Sequence, residues 1–242
     1  MPTYIEEPIM QYVFVPGAWH GGWAWHPVAR RVRAAGHGVT ALTMPGLSLG
    51  EDSGRLRLAD AVDFLVDEVE RRDLVDVVLV GHSWGGIPVV AAAERLRKRL
   101  ARLDFFSAFI PRAGESMADA MGPEVGAFLR TSIESAADRT ISVDFESFQA
   151  SLMPGEPEAL QRLVFEQLVP QPGGYMLDAL ESVDVPGLGV PVGYVLAADD
   201  RALAAPGAEL AARAGVEPVL VPGGHEALLT APDLVADALL GR

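Results

Sequence analysis

An apolar run, Val77-Val78-Leu79-Val80, passes directly into Gly81-His82-Ser83-Trp84-Gly85-Gly86 and then into a helical pattern from Ile87 to Arg99. A strand that ends in G-x-S-x-G and turns at once into a helix puts its central serine on a sharp turn at a strained backbone angle. Glycines two positions before and after the serine let the neighbouring chain pass closely. The hydroxyl of Ser83 then stands clear of the sheet. Because the turn opens a helix, the backbone N–H of Trp84 has no intrahelical acceptor and points to where negative charge would grow on a substrate carbonyl. The pattern nominates Ser83 as a nucleophile and Trp84 N–H as half of an oxyanion hole.

The rest of the chain supports the architecture such a turn requires. Gln11–Val15, Gly38–Leu42, Val75–Val80 and Asp104–Ile110 read as strands, and Trp25–Ala35, Leu58–Arg72 and Ile87–Arg99 as helices between them. Strands and helices alternating at this spacing imply βαβ units and an α/β fold with a doubly wound, mostly parallel sheet. The rhythm breaks after Pro111. Residues 112–186 show helical fragments divided by Met153-Pro154-Gly155 and Gln171-Pro172-Gly173-Gly174, with little strand signal, as expected of a helical insertion over the sheet. The rhythm resumes with strands at Val190–Leu196 and Val216–Val221 and helices at Pro206–Ala214 and Pro232–Leu240. The expected organisation is a core of residues 1–111 and 187–242 with residues 112–186 inserted as a cap, and a loose arm over residues 1–10. At 242 residues, half of them apolar, one such domain is the default.

Composition narrows the function. A formal net charge of −14 gives the surface the wrong sign for a phosphate backbone or an anionic membrane. The one basic run, Arg95-Leu96-Arg97-Lys98-Arg99, reads as the solvated end of a helix. Neither nucleic acid nor membrane is an expected partner; a homodimer stays open. With no cysteine there is no disulfide, thiolate nucleophile or cysteine metal site. The sequence shows no secretory h-region and no apolar run of membrane-spanning length, which makes the cytoplasm the expected location.

A serine hydroxyl needs a base within hydrogen-bond reach and a group that orients the base. Of five histidines, His20, His26 and His37 precede the turn and read as structural, and the strand direction is expected to send the His82 side chain away. His225 remains, in the loop Val221-Pro222-Gly223-Gly224-His225 after the last strand, where open α/β sheets place their chemistry. Asp199-Asp200, in the loop after the preceding strand, supply the acid; Asp200 is preferred because it begins the descending turn, with Asp199 as the alternative. The glycine-rich loop Pro16-Gly17-Ala18-Trp19-His20-Gly21-Gly22 after the first strand offers the N–H of Ala18 as the second oxyanion donor. Trp84 and Trp19 are candidate substrate contacts. Met117, Met121, Phe128, Phe145, Phe148, Met153, Leu163, Phe165 and Met176 are candidate pocket walls in the insertion. Glu51, Asp52, Asp119 and Asp178 read as solvated surface.

The segments Val15–Trp25, Ala34–Leu42, Gly81–Gly86 and Gly224-His225 together resemble the α/β-hydrolase superfamily, and within it the plant methylesterase and hydroxynitrile lyase branch. The likeness is dense over the first half and the last fifty residues and weak across the insertion. The resemblance implies that Ser83, His225 and Asp200 form a triad, that Ala18 and Trp84 form the oxyanion hole, and that the insertion caps the substrate. No metal or organic cofactor is implied. Two departures stand out: Pro16-Gly17 replaces the usual His-Gly, and Glu226 and Gly17 stand where cyanohydrin-cleaving members carry lysine and threonine. The expected activity is hydrolysis of a carboxylic ester or related acyl bond of a small apolar molecule through an acyl-enzyme. An eliminating enzyme of small-molecule biosynthesis on the same site, and a non-catalytic small-molecule sensor, are the competing readings.

Overall fold

The computed structural model describes residues 8–241, so most of the arm expected over residues 1–10 lies outside the described residues. Six parallel strands form one sheet: β1 (Gln11–Val15), β2 (Gly38–Ala41), β3 (Val77–His82), β4 (Leu100–Phe106), β7 (Val192–Ala197) and β8 (Val219–Val221), in the order β2-β1-β3-β4-β7-β8. The reason is visible in alternate residues. Val13 and Val15 of β1 and Val77 and Leu79 of β3 face one apolar layer, while Tyr12, Phe14, Val78 and Val80 face the other. The first layer takes the buried stripes of α2 (Leu58–Arg71), α3 (Gly86–Leu96) and α9 (Gly207–Arg213). The second takes those of α1 (His26–Ala34), α10 (Ala227–Thr230) and α11 (Pro232–Leu240). Helices on both faces of a parallel sheet make the doubly wound α/β fold read from the sequence.

Between β4 and β7 the chain forms α4 (Met117–Ala120), α5 (Pro123–Ser135), α6 (Phe145–Ser151), α7 (Glu158–Phe165) and α8 (Gly173–Leu177). It also forms a two-residue antiparallel ladder of β5 (Thr140–Ile141) with β6 (Gln171–Pro172), which the sequence pattern does not announce. Met117, Leu129, Ile133, Tyr175 and Met176 join the main core, whereas Phe148, Leu152, Met153 and Val164 form a small cluster between α6 and α7.

Pairing moves several boundaries. β4 begins at Leu100 and ends at Phe106 rather than running from Asp104 to Ile110, because it must lie alongside β3, where Leu100 pairs with Val77 and Phe106 with His82. Helix α3 accordingly stops at Leu96, and the basic run divides between a helix end and a strand start. Arg99 donates to Asp73 and to the Leu74 carbonyl, both at 3.0 Å. The acids read as solvated surface are partly engaged. Asp178 accepts the Leu58 N–H at 3.0 Å and pairs with Arg57, so the insertion caps α2. Glu51 accepts the Gly46 N–H at 2.7 Å, and Asp119 caps α4 through Ser116. No helix among the described residues is long and apolar enough to cross a membrane.

Candidate active site

At the C-terminal end of β3 the chain turns through a single 3-10 turn, Ser83–Gly85, into α3. Ser83 has φ +52°, the left-handed conformation that an L-residue adopts only where its surroundings enforce it. The flanking glycines show why. A Cβ on Gly85 would lie 2.5 Å from the Pro16 carbonyl oxygen, and one on Gly81 would lie 2.8 Å from the Gly85 carbonyl oxygen. The turn is closed by the Ser83 N–H donating to the Ser107 carbonyl at 3.2 Å and the Phe109 N–H donating to the Ser83 carbonyl at 3.0 Å. Trp84 N–H, in the first turn of this helix, lacks an intrahelical acceptor.

The loops after β7 and β8 bring the other polar groups. His225 Nδ1 lies 2.8 Å from Asp200 Oδ2, with both side chains 2 % exposed. Asp200 is itself held by the Ala202 N–H at 2.8 Å, while Asp199 is exposed. Burial pushes the Asp200 carboxyl up, but the charge and hydrogen bond of His225, with the Ala202 N–H and the Ser107 hydroxyl, outweigh it and hold Asp200 below the usual carboxylate value. Burial pushes His225 down, and the Asp200 charge and hydrogen bond, with Glu226 adding to them, carry it above the usual histidine value. Because Asp200 occupies Nδ1, Nε2 is the nitrogen left to exchange a proton.

Ser83 and His225 line one cavity of about 190 Å³ with Gly17, Ala18 and Trp19 of the loop after β1. Its apolar wall is Phe109, Met117, Met121, Val143 and Leu152. Of the nine apolar residues expected to wall it, Met117 and Met121 do so. Phe128 and Leu163 are 64 % and 60 % exposed, and Phe145, Phe148, Met153 and Phe165 pack among themselves beside α6 and α7. A larger hollow of about 530 Å³ lies elsewhere, lined in part by Arg57, Asp63, Arg95 and Asp178. Those charges pair with one another, Arg57 with Asp178 and Arg95 with Asp63, and offer no activated nucleophile.

Three expectations need correction. The Trp84 side chain does not line the cavity: it is fully buried, stacked on Tyr175 with ring centroids 4.9 Å apart, and donates its indole N–H to the Tyr175 carbonyl at 2.9 Å. The turn after β3 sends this side chain inward. His82 does not leave the site. Its Nε2 lies 3.2 Å from the carbonyl of His225, and the two rings are 4.7 Å apart. Burial above all, with His225 and His20 nearby, pushes its imidazole well below the usual value, so it is neutral. His20 likewise lines the cavity, with Nε2 3.5 Å from Glu226 Oε1. In the sequence Glu226 stands out only as the replacement of a lysine; its burial, 2 % exposed, is a property of the folded loops. His82, His225 and Glu226 offer ligand atoms within 4.8 Å of one another, but a cation bound there through His225 Nε2 would occupy the nitrogen that proton transfer needs.

The Alpha/beta hydrolase family profile matches residues 12–238. Over 125 residues the chain is 35% identical to a carbendazim hydrolyzing esterase of Nocardioides sp. (strain SG-4G), a match covering 48% of this chain and 50% of that one. It is 35% identical over 114 residues to methylesterase 10 of Arabidopsis thaliana, covering 44% and 40%. It is 34% identical over 105 residues to salicylic acid-binding protein 2 of Nicotiana tabacum, covering 41% and 40%. The chain thus spans half or less of the length of these curated relatives. Among solved structures, an extracellular alpha/beta-hydrolase from a Paenibacillus species superposes with a TM-score of 0.89 at 23% identity, covering 96% of this chain and 98% of that one. A methylesterase protein from Arabidopsis superposes with a TM-score of 0.77 at 22% identity, covering 96% and 98%. At these identities the likeness of structure speaks for the fold.

Proposed function

Because this chain belongs to the α/β-hydrolase family, and within it resembles the plant methylesterases, we propose that it is a serine hydrolase that cleaves a carboxylic ester or related acyl bond of a small apolar molecule. The observation that carries the reading is the His225–Asp200 hydrogen bond of 2.8 Å, which commits Nδ1 and leaves Nε2 to the cavity shared with Ser83. Ser83 Oγ attacks the carbonyl carbon as its proton passes to His225 Nε2, and Asp200 stabilises the imidazolium. The oxyanion accepts hydrogen bonds from the N–H groups of Ala18 and Trp84. Collapse of the tetrahedral intermediate expels the alcohol, which takes the proton from His225; water then repeats the sequence on the acyl-enzyme and frees Ser83. Residues 112–186 serve as the cap. Trp19 contacts substrate, and the cavity volume of about 190 Å³ suits a compact acyl group.

Among the eliminating alternatives, cyanide release is disfavoured, because the position beside His225 holds the buried carboxylate of Glu226 rather than a cation that would stabilise a leaving cyanide. The relatives named above as esterases and methylesterases favour hydrolysis. The sensor reading has no ordered base to explain, whereas this chain has one.

The deciding experiment is intact-mass spectrometry after treatment with a fluorophosphonate, together with burst kinetics on short p-nitrophenyl esters. One adduct at Ser83 and ester turnover are expected, and Ser83→Ala should neither label nor turn over, with kcat lower by on the order of 10⁶. Full activity in that variant, or a folded wild type that neither labels nor turns over, overturns the proposal.

A further inference from the structure

In the wall of the cavity beside the triad lies a buried polar group of residues that the triad does not use. His20 is 1 % and Glu226 is 2 % exposed. Both Glu226 carboxylate oxygens, His20 Nε2 and His82 Nδ1 are enclosed and make no hydrogen bond. Buried polar atoms in this condition are costly, and each asks for an explanation. The tautomers can be assigned from the partners that do exist. His20 Nδ1 lies 2.7 Å from the Ala18 carbonyl oxygen, which can only accept, so Nδ1 carries a hydrogen. His82 Nε2 faces the His225 carbonyl oxygen, so its hydrogen is there and Nδ1 is a bare lone pair. If His20 were neutral and Glu226 ionised, the whole group would present lone pairs only. One proton between His20 Nε2 and Glu226 Oε1, which stand 3.5 Å apart, satisfies those two atoms whichever of them carries it, while Glu226 Oε2 and His82 Nδ1 keep their lone pairs.

The pair also joins two loops that catalysis must hold in register. Glu226 directly follows His225, and His20 grips the carbonyl of Ala18, whose own N–H is the proposed oxyanion donor. We propose that His20 and Glu226 share one proton and act as a positioning pair that sets the oxyanion loop at Ala18 against the loop carrying His225. This rests on the hydrolase reading above. A divalent cation is the other occupant the geometry admits, since His82, His225 and Glu226 offer ligand atoms within 4.8 Å. The proton is favoured because a cation held through His225 Nε2, the nitrogen that Asp200 leaves free, would take the atom that proton transfer with Ser83 needs.

Two measurements test it. The first is the kinetics of p-nitrophenyl butyrate hydrolysis by Glu226→Leu, Glu226→Gln, His20→Leu and the double variant H20L/E226L. Glu226→Leu should lower kcat about tenfold or more with KM changed less than about twofold, the mark of a loss felt in the transition state. Glu226→Gln, whose amide N–H can donate to His20 Nε2, should recover kcat to within about threefold of wild type, and the double variant should be no worse than the poorer single one. Wild-type kcat in a folded Glu226→Leu, failure of glutamine to rescue, or additive losses would each overturn the proposal. So would a wild-type rate that responds to EDTA or Zn²⁺ while that of Glu226→Leu does not, which would assign the group to a cation. The second measurement is ¹⁵N NMR of the histidine side chains in the wild-type protein, which needs no turnover. His20 should be protonated at Nδ1, with a proton on or shared by Nε2; a bare Nδ1 or a bare Nε2 with no shared proton overturns the proposal. Absence of Ser83 labelling together with the expected His20 spectrum would instead fault the hydrolase reading and leave the shared proton standing.

Discussion

The side-chain oxygen of Gln171 accepts the backbone N–H of Trp19 at 2.8 Å, so the inserted segment holds the loop that follows β1. Two more bonds join the same tryptophan to the insertion. Its indole N–H donates to the Ile141 carbonyl at 2.9 Å, and its carbonyl accepts the Val169 N–H at 3.1 Å. Trp19 sits at φ +67°, a conformation that needs such support, and it adjoins Ala18. Gln171 is fully buried, so Gln171→Leu leaves the Trp19 N–H without its acceptor. The expected loss of stability is about 1–3 kcal/mol by denaturant unfolding, with a fall in kcat. An unchanged kcat would show that the insertion does not set the oxyanion loop.

The pH dependence follows from His225. The base works only when neutral, and the net effect of its surroundings is to raise its pKa above the ordinary 6.5. The kcat/KM of the wild type should therefore fall as the pH drops through a midpoint above that value. Asp200→Asn removes the charge that does most to raise it, so the midpoint should move down, and kcat should fall on the order of 10⁴-fold as orientation and cation stabilisation are lost. A wild-type midpoint below the ordinary histidine value contradicts the assignment.

Gly17 is held to its size by the nucleophile. A Cβ there would lie 2.9 Å from Ser83 Cβ and 3.1 Å from His82 Nδ1, so Gly17→Thr must displace the serine or the oxyanion loop. A loss in kcat of about 10²-fold or more in a folded protein is the expected result, comparable to removing one oxyanion donor. Circular dichroism would establish folding, and retention of full ester turnover would count against the close packing.

Phe148 is fully buried in the cluster with Leu152, Met153 and Val164, and Leu152 walls the cavity. Phe148→Ala should cost about 3–5 kcal/mol if the cluster unfolds together with the core. A smaller thermal shift with KM raised more than kcat is lowered would mean that α6 and α7 loosen on their own.

How much of this was legible beforehand differs from element to element. The strand–turn–helix around Ser83 is written in adjacent residues: apolar Val77–Val80 demands burial, and the two flanking glycines admit the tight turn. The choice of Asp200 over Asp199 is only partly legible: the descending turn favours Asp200, but neighbours in sequence point to different sides and the fold decides which meets His225. The start of β4 at Leu100 was hidden by the charges of Arg97–Arg99, which local pattern assigns to a helix end, whereas pairing with Val77 requires a strand.

By itself the sequence determined what local chemistry can determine: the alternation that makes a parallel sheet, the turn that strains Ser83, and the residue types of a base and its partner. Tertiary structure decided where Trp84, His82, His20 and Glu226 went. The Trp84 indole turned into the core, and the end of β3 and two loops far apart in the chain buried His82, His20 and Glu226 together in the wall of the Ser83 cavity. The physical reason is that backbone preference and hydrophobic period act over a few residues, whereas burial of a side chain and the ownership of a proton depend on neighbours that only the closed sheet brings within a few ångströms.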